Sequence, residues 1–268
     1  MGNDQPVKLP GRNDDLMSIA EERISSVHKA IRILKAFSQD RPERSVSELS
    51  RKFGFSKSTV SRLMQILCEE NLLVRNEETR KYRLCLGAFE IGSVALNQME
   101  IAKAASPLLN QMKAHVHGVI RLAIYDRGEI VNIVCVSNDV RRDVNRKLSV
   151  FDAGKRMPCH LTAAGRLLLA YQNEDEVDRY LQLANIQSGE AFRREISDIR
   201  SKKYAVSREQ RLKDYTSAAV PVLNDDDQVS AALSVVVPSA ALSPYSLREM
   251  IGELNKYSRL ITEQSVDF

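Results

Sequence analysis

Apolar residues recur at helical spacing through the first hundred positions, then alternate or run continuously in short stretches further on. Over residues 56–71 (SKSTVSRLMQILCEEN), Val60, Leu63, Met64 and Leu67 fall at i, i+3, i+4 and i+7 and define one face of a helix. The opposite face carries Lys57, Ser58, Thr59, Ser61, Arg62 and Gln65, with no acid before Glu69. Ser56 stands where an N-cap is needed, so the first turn presents short polar side chains and free backbone N–H groups. Upstream, residues 45–54 (SVSELSRKFG) predict a short helix with Ser47 as N-cap, Leu49 and Phe53 inward, and Gly54 as the left-handed residue of a tight turn. Before it, a helix from Ser25 or Ser26 places Val27, Ala30, Ile31, Leu34 and Phe37 inward and Lys29, Arg32 and Lys35 outward. Residues 72–75 and 81–84 flank a polar stretch, 76–80, as two strands of a hairpin do.

Residues 84–117 are rich in helix formers, punctuated by Gly87, Gly92 and Pro107. Phe89, Val94 and Leu96, then Ile101, Leu108, Leu109 and Met112, leave apolar faces that a lone linker cannot solvate, which predicts a linker helix that pairs subunits and a further helix running to about His117. Residues 119–137 then switch to strand character, VIRLAIYD and IVNIVCVS about a turn at 126–129. A short strand is expected over 148–151, a helix with a small-residue start over 160–170, and exposed helices over 173–183 and 192–203, the first capped by Asn173. Strands follow over 204–208, 218–223 and 229–237, and Ser243-Pro244 opens a terminal helix in N-cap, N1 order. Two sequence-local hairpins among helices predict a mixed α/β domain rather than a parallel sheet.

Helix, Gly-containing turn and helix, followed by a hairpin with basic residues near its tip, is the pattern of a winged helix-turn-helix. The fold class is therefore α+β, with a disordered arm over 1–22, a winged helix-turn-helix DNA-binding domain over 23–86, a linker helix over 87–100 and a mixed α/β domain over 101–268. A chain of 268 residues accommodates two cores more readily than one. Charge supports the division. Residues 23–83 hold 14 Lys and Arg against 7 Asp and Glu, whereas 84–268 hold 23 of each, so a polyanion partner is expected for the first part alone.

Other chemistry is sparse. Cys68, Cys85, Cys135 and Cys159 are widely spaced with no C-x-x-C pair, which points away from a zinc site or a disulfide framework and toward reduced thiols in the cytoplasm. No apolar run approaches the roughly 20 residues of a membrane span. Cys159-His160 are adjacent but lack a third orienting group, His115-x-His117 lacks a carboxylate or Cys partner, and no phosphate-binding Gly loop is present. Neither an enzyme nor a cofactor is expected.

Six segments in order resemble the IclR family of bacterial transcriptional regulators: SVHKAIRIL at 26–34, ELSRKFGFSKSTVSRLMQIL at 48–67, YRLCLG at 82–87, GKRMPCHLTAAGRLLLA at 154–170, YAVSREQ at 204–210 and SAAVPVLNDDDQVSAALSV at 217–235. The resemblance implies a GAF-like effector-binding and oligomerisation domain at the C-terminus, a homodimer or dimer of dimers, and repression or activation of catabolic genes through a double-stranded DNA operator. It makes Lys57, Ser58, Thr59, Ser61 and Arg62 the DNA readers, Arg62 foremost because its guanidinium fork matches the guanine edge. Arg75, Arg80 and Lys81 on the wing are placed to meet phosphates or the minor groove, and Arg44 at the start of the second helix a backbone phosphate.

The family's effector pocket maps onto Met157, Leu161, Thr162, Ala163 and Ala164, with Glu209, Thr216 and Ser234. Small residues at a loop-to-helix junction let a carboxylate approach backbone N–H groups, so the effector is expected to be an organic acid. The basic loop at 141–147 is placed to guide an anion inward. Thr216 stands where many relatives carry Cys, and Leu161 where a small residue is usual, departures that bear on which ligand fits. The alternative is a ligand-independent regulator whose second domain only oligomerises.

Overall fold

The computed structural model describes residues 25–137, 153–186, 188–208 and 213–266. The expected arm over 1–22, the basic loop over 141–147, the strand over 148–151 and Glu209 lie outside the described residues. The chain divides between Gly92 and Ser93 into two compact units.

The first unit holds α1 (Ser26–Leu34), α2 (Val46–Phe53), α3 (Lys57–Glu69) and a two-stranded antiparallel hairpin of β1 (Leu73–Arg75) and β2 (Tyr82–Leu84). Its core joins Ile33 and Phe37 to Leu49, to Val60, Leu63, Met64 and Leu67 of α3, and to Leu73 and Tyr82 of the hairpin. The α1 face differs from expectation: Val27 and Ile31 are exposed, and Ile33 is fully buried. The apolar positions of α1 spread over a wider arc than one helix contact covers, and the helix settles on the Ala30–Ile33–Leu34 side. The α2 cap also differs. It is Ser45, not Ser47: the Ser45 hydroxyl accepts from Glu48 N at 3.2 Å while Ser45 N donates to the Glu48 carboxylate at 2.8 Å, a complete capping box. Gly54 takes the left-handed turn, φ 73°, and Ser56 caps α3 by accepting from Thr59 N at 3.1 Å. At the hairpin tip the Asn76 carboxamide accepts from Glu78 N and Thr79 N, an Asx turn that reverses the chain.

Helix α4 (Leu86–Asn97) spans the division, with Leu86, Phe89, Ile91 and Val94 exposed. The second unit begins with α5 (Glu100–Met112), which stops short of His115 and His117. Six antiparallel strands follow in the order β5-β4-β3-β8-β7-β6: β3 (Val119–Asp126), β4 (Glu129–Ser137), β5 (Arg156–Pro158), β6 (Ala205–Arg208), β7 (Tyr215–Leu223) and β8 (Val229–Pro238).

Strand alternation gives this sheet two unlike faces. Ile120, Leu122, Val220, Leu233 and Val235 pack with Leu109 of α5 and with Leu254, Tyr257 and Ile261 of the terminal helix α9 (Pro244–Val266). The other face is small: Ala123, Ala205, Ala219 and Ala232 lie in the core of α6 (Ala163–Ala170), α7 (Glu174–Leu183) and α8 (Gly189–Lys202), with Leu167, Leu168, Tyr180 and Phe192. Helix α6 starts at Ala163 rather than at His160, because Cys159–Leu161 form a 3₁₀ turn and extended Thr162 caps the helix by accepting from Gly165 N at 2.9 Å. Strand β5, which hydrophobic pattern alone does not single out, pairs Met157 with Ile130 of β4.

Candidate functional site

In the first unit the surface of α3 is divided as its spacing requires. Val60, Leu63, Met64 and Leu67 are buried, while Lys57, Ser58, Ser61 and Arg62 are exposed and Thr59 is half-buried. The Ser56 hydroxyl lies 3.0 Å from that of Ser58 and 2.8 Å from that of Thr59, so the polar side chains of the first turn are ordered around the cap. On the hairpin, Arg75 is exposed with its guanidinium 5.6 Å from the Tyr82 ring centre, and Arg80 pairs with Glu77 at 3.1 Å in full view of solvent, a weak tie.

Arg44 is a correction. It is only 8 % exposed, its Nε and Nη2 both donate to Ala36 O at 3.3 Å, and its main chain exchanges hydrogen bonds with Tyr82 at 2.8 and 2.9 Å. It joins the end of α1 to the hairpin, with Nε and Nη2 turned to the main chain rather than outward. The polar spacing that suggests a surface cation says nothing of a guanidinium folded back onto a carbonyl. Basic groups that spacing left unassigned gather instead at the turn between α2 and α3, where Arg32 and Lys29 stand over the Phe55 ring and Lys52 over Phe53, at 5.4 to 5.5 Å from the ring centres.

In the second unit, Met157, Leu161, Thr162, Ala163, Ala164 and Ser234 come together around a cavity of about 40 Å³ between the small face of the sheet and the start of α6. The 3₁₀ turn that carries Leu161 into it is held from two sides. His160 Nδ1 is 2.6 Å from the Tyr180 hydroxyl, which also accepts from His160 N at 3.0 Å. Arg166, buried and stacked over Phe192, donates from Nε to His160 O at 2.8 Å and pairs with Glu195. Burial and the neighbouring Arg166 charge hold the His160 pKa below its ordinary value, and burial pushes the Cys159 thiol up to about 12. Cys159 is thus a packed thiol rather than a nucleophile.

Thr216 is a second correction. It faces away from the cavity, hydrogen-bonded to Ser239 at 2.9 Å, while its neighbours Tyr215 and Ser217 line the cavity, because successive residues of a strand point to opposite faces. The remaining lining residues are ones that motif matching missed: Arg121, Asn132, Ser207, Tyr215 and Ser217, with Ile130 and Val236. Their signal is visible afterwards, for Arg121 and Asn132 are lone polar residues inside otherwise apolar strands and are 3 % and 1 % exposed. His115 and His117 line a separate groove with Glu249 and Glu253, and among the described residues no group of three or more His, Cys, Asp or Glu is placed to hold a metal ion. No described helix is long and apolar enough to cross a membrane.

Comparison with known proteins accounts for both units. Residues 26–77 match the IclR helix-turn-helix domain, and residues 93–263 match the C-terminal domain of bacterial transcriptional regulators of the IclR type. The HTH-type transcriptional regulator KdgR of Escherichia coli is 29 % identical over 251 residues, covering 91 % of this chain and 93 % of its own, and KdgR of Dickeya chrysanthemi is 28 % identical over 270 residues, covering 96 % and 87 %. The fold matches crystal structures of an IclR transcriptional regulator from Alicyclobacillus acidocaldarius (TM-score 0.76, 23 % identity, 90 % of this chain and 98 % of that one) and of an IclR homologue from Microbacterium hydrocarbonoxydans complexed with 4-hydroxybenzoate (TM-score 0.76, 21 %, 91 % and 100 %).

Proposed function

The chain belongs to the IclR family of transcriptional regulators, DNA-binding proteins rather than enzymes, and on that footing we propose that it represses or activates a catabolic operon under control of a small organic acid bound in the second unit. Residues 23–86 act as the DNA-binding domain, 87–100 as the linker helix and 101–268 as the effector-binding and oligomerisation domain. The observation that carries the reading is α3, where four apolar residues are buried while Lys57, Ser58, Ser61 and Arg62 stand exposed around a capped helix start. A helix presented by its N-terminal turns brings these side chains to the base edges of a major groove and its free N–H groups to a phosphate. Arg75, Arg80 and Lys81 add cations from the wing.

A single copy reads one half-site. The exposed apolar side chains of α4, Leu86, Phe89, Ile91 and Val94, favour a homodimer or dimer of dimers, whose half-site spacing follows from subunit geometry. An effector that binds one arrangement of the dimer more tightly shifts the population toward it and so changes operator affinity without touching a base contact. That the Microbacterium homologue was crystallised with 4-hydroxybenzoate supports a small-molecule effector for this chain as well.

The test is DNA binding by fluorescence anisotropy on an operator selected from a random library. Arg62→Ala lowers affinity by about 1–3 kcal/mol and relaxes preference at one base pair. Unchanged affinity and sequence preference removes Arg62 from the readout.

A further inference from the structure

Resting on the reading of α3 as the helix that enters the major groove, the surface beside its start carries a second set of contacts. Residues 25–39 hold Lys29, Arg32 and Lys35 and no acid, and residues 49–68 hold Arg51, Lys52, Lys57 and Arg62 and again no acid. Lys29 and Arg32 stand three apart on α1, a like-charge spacing that works against the helix. Among the described residues no carboxylate pairs with Lys29, Arg32 or Lys52.

These cations are not spread over a solvated face. Phe53 ends α2 and Phe55 sits in the turn, and the two rings stack with centres 5.6 Å apart. The Arg32 guanidinium lies 4.9 Å from the Phe53 ring centre and 5.4 Å from that of Phe55. Lys29 Nζ is 5.5 Å from the Phe55 centre, and Lys52 Nζ is 5.5 Å from that of Phe53. Both rings are half-buried and pack against the core of the first unit, so the platform is anchored from below.

A cation over a ring face is attracted by the ring quadrupole, which narrows its range of positions before any ligand arrives. A guanidinium held by its flat face keeps its edge N–H groups for an acceptor. Phe55 directly precedes Ser56, the cap of α3, so the platform borders the helix start and its free N–H groups. Charges gathered against their own repulsion, with no acid between them, call for a polyanion. Ammonium and guanidinium groups only donate, which suits the phosphate oxygens along a groove rather than the mixed donors and acceptors of base edges.

We infer that Lys29, Arg32 and Lys52 bind backbone phosphates of the operator, and that Phe53 and Phe55 are the positioning residues that hold them ready. These contacts add affinity without adding sequence preference, the complement of what Arg62 does on α3.

The experiment is fluorescence anisotropy on the full chain from about 50 to about 200 mM salt, with the selected operator and with an unrelated duplex of equal length. Each phosphate contact adds about 0.9 to the slope of log affinity against log salt, which corresponds to about eightfold in affinity at about 0.1 M salt relative to 1 M. Arg32→Gln therefore lowers the slope by about one and weakens both duplexes alike. Adding Lys29→Gln and Lys52→Gln brings the loss of slope to about two or more. Arg259→Gln, at an exposed position of α9, is the charge-matched control and leaves the slope in place. Phe55→Leu keeps an apolar side chain and every cation, so it weakens binding in the unaltered background and adds nothing once the three cations are gone, the coupling expected of a positioning residue. Should Phe55→Leu fail to fold, the cation variants still decide.

An unchanged slope in the triple variant overturns the inference. An Arg32→Gln variant that alters the preference between the two duplexes overturns it as well, since Arg32 would then read a base. A Phe55→Leu loss of equal size with and without the cations removes the positioning role of the rings. The DNA-binding reading itself falls by a different result, failure of the unaltered chain to bind either duplex.

Discussion

Gly165→Ala tests whether the cavity depends on close contact between α6 and the turn before it. A Cβ at Gly165 would lie 2.4 Å from Cys159 O, 2.5 Å from its Cα and 2.8 Å from its carbonyl carbon. All three are backbone atoms, so no side chain can rotate away, and the turn that bears them is pinned by Tyr180 on one side and Arg166 on the other. The added methyl gains at most about 0.8 kcal/mol from burial. Forcing it into a filled, anchored contact costs typically about 1–3 kcal/mol, with the upper end expected where only main chain can yield. A net loss of about 2 kcal/mol in a unit of this size lowers its melting temperature by roughly 4–8 °C. Differential scanning calorimetry of the full chain measures it, with Gly252→Ala as control. No atom lies within 4 Å of that Cβ, so the control should hold or raise stability through helix propensity alone. If Gly165→Ala melts with the unaltered chain, the turn is compliant, and the contact does not set the cavity wall formed by Leu161 and Thr162.

Three further outcomes follow from the same geometry. Arg44→Ala removes two hydrogen bonds to Ala36 O, so it destabilises the first unit by about 1–3 kcal/mol in urea unfolding, while the salt dependence of operator binding keeps its slope; a slope reduced by about one would return Arg44 to the phosphate contacts. Glu48 has its pKa below the ordinary 4.5, chiefly because Ser45 N donates to it and with help from Lys81 and Arg44. Its folded value being the lower one, its stabilisation is complete above about pH 4.5 and is lost as pH falls through the folded value, so the first unit should lose more stability on acidification than Glu48→Gln does; parallel pH profiles for the two would contradict this. Thr162→Trp puts a large side chain on the cavity wall and is expected to abolish effector response with operator binding intact, and a variant that still responds would place the effector elsewhere.

The first unit was legible in the chain because its information is local. Four apolar positions at helical spacing, Gly54 and the serine caps lie within a few residues of the geometry they specify, and the errors are local as well. Ser45-x-x-Glu48 is a capping-box spacing that outranks Ser47, and the wide apolar arc of α1 leaves the choice between Ile31 and Ile33 to its packing partner. Arg44 marks the limit, since its acceptor sits eight residues away in the chain.

The cavity was legible only where it is also local. Met157 and the run from Leu161 to Ala164 line the cavity from within eight residues of one another, so matching a motif there brings along whatever neighbours it. On the strands the same procedure has no tolerance, because the side-chain period is two and a displacement of one residue exchanges cavity for core. Thr216 is such a displacement, with Tyr215 and Ser217 lining the cavity on either side of it. Arg121 is harder still. Its inward direction follows from pairing with Ser234, more than a hundred residues downstream, and no local pattern encodes that register. What the chain does display is the anomaly of an arginine between Ile120 and Leu122 in a strand otherwise apolar up to Tyr125. A charge placed there must either end the strand or be answered inside the fold, and since the strand continues, a buried polar site was implied before its location was known.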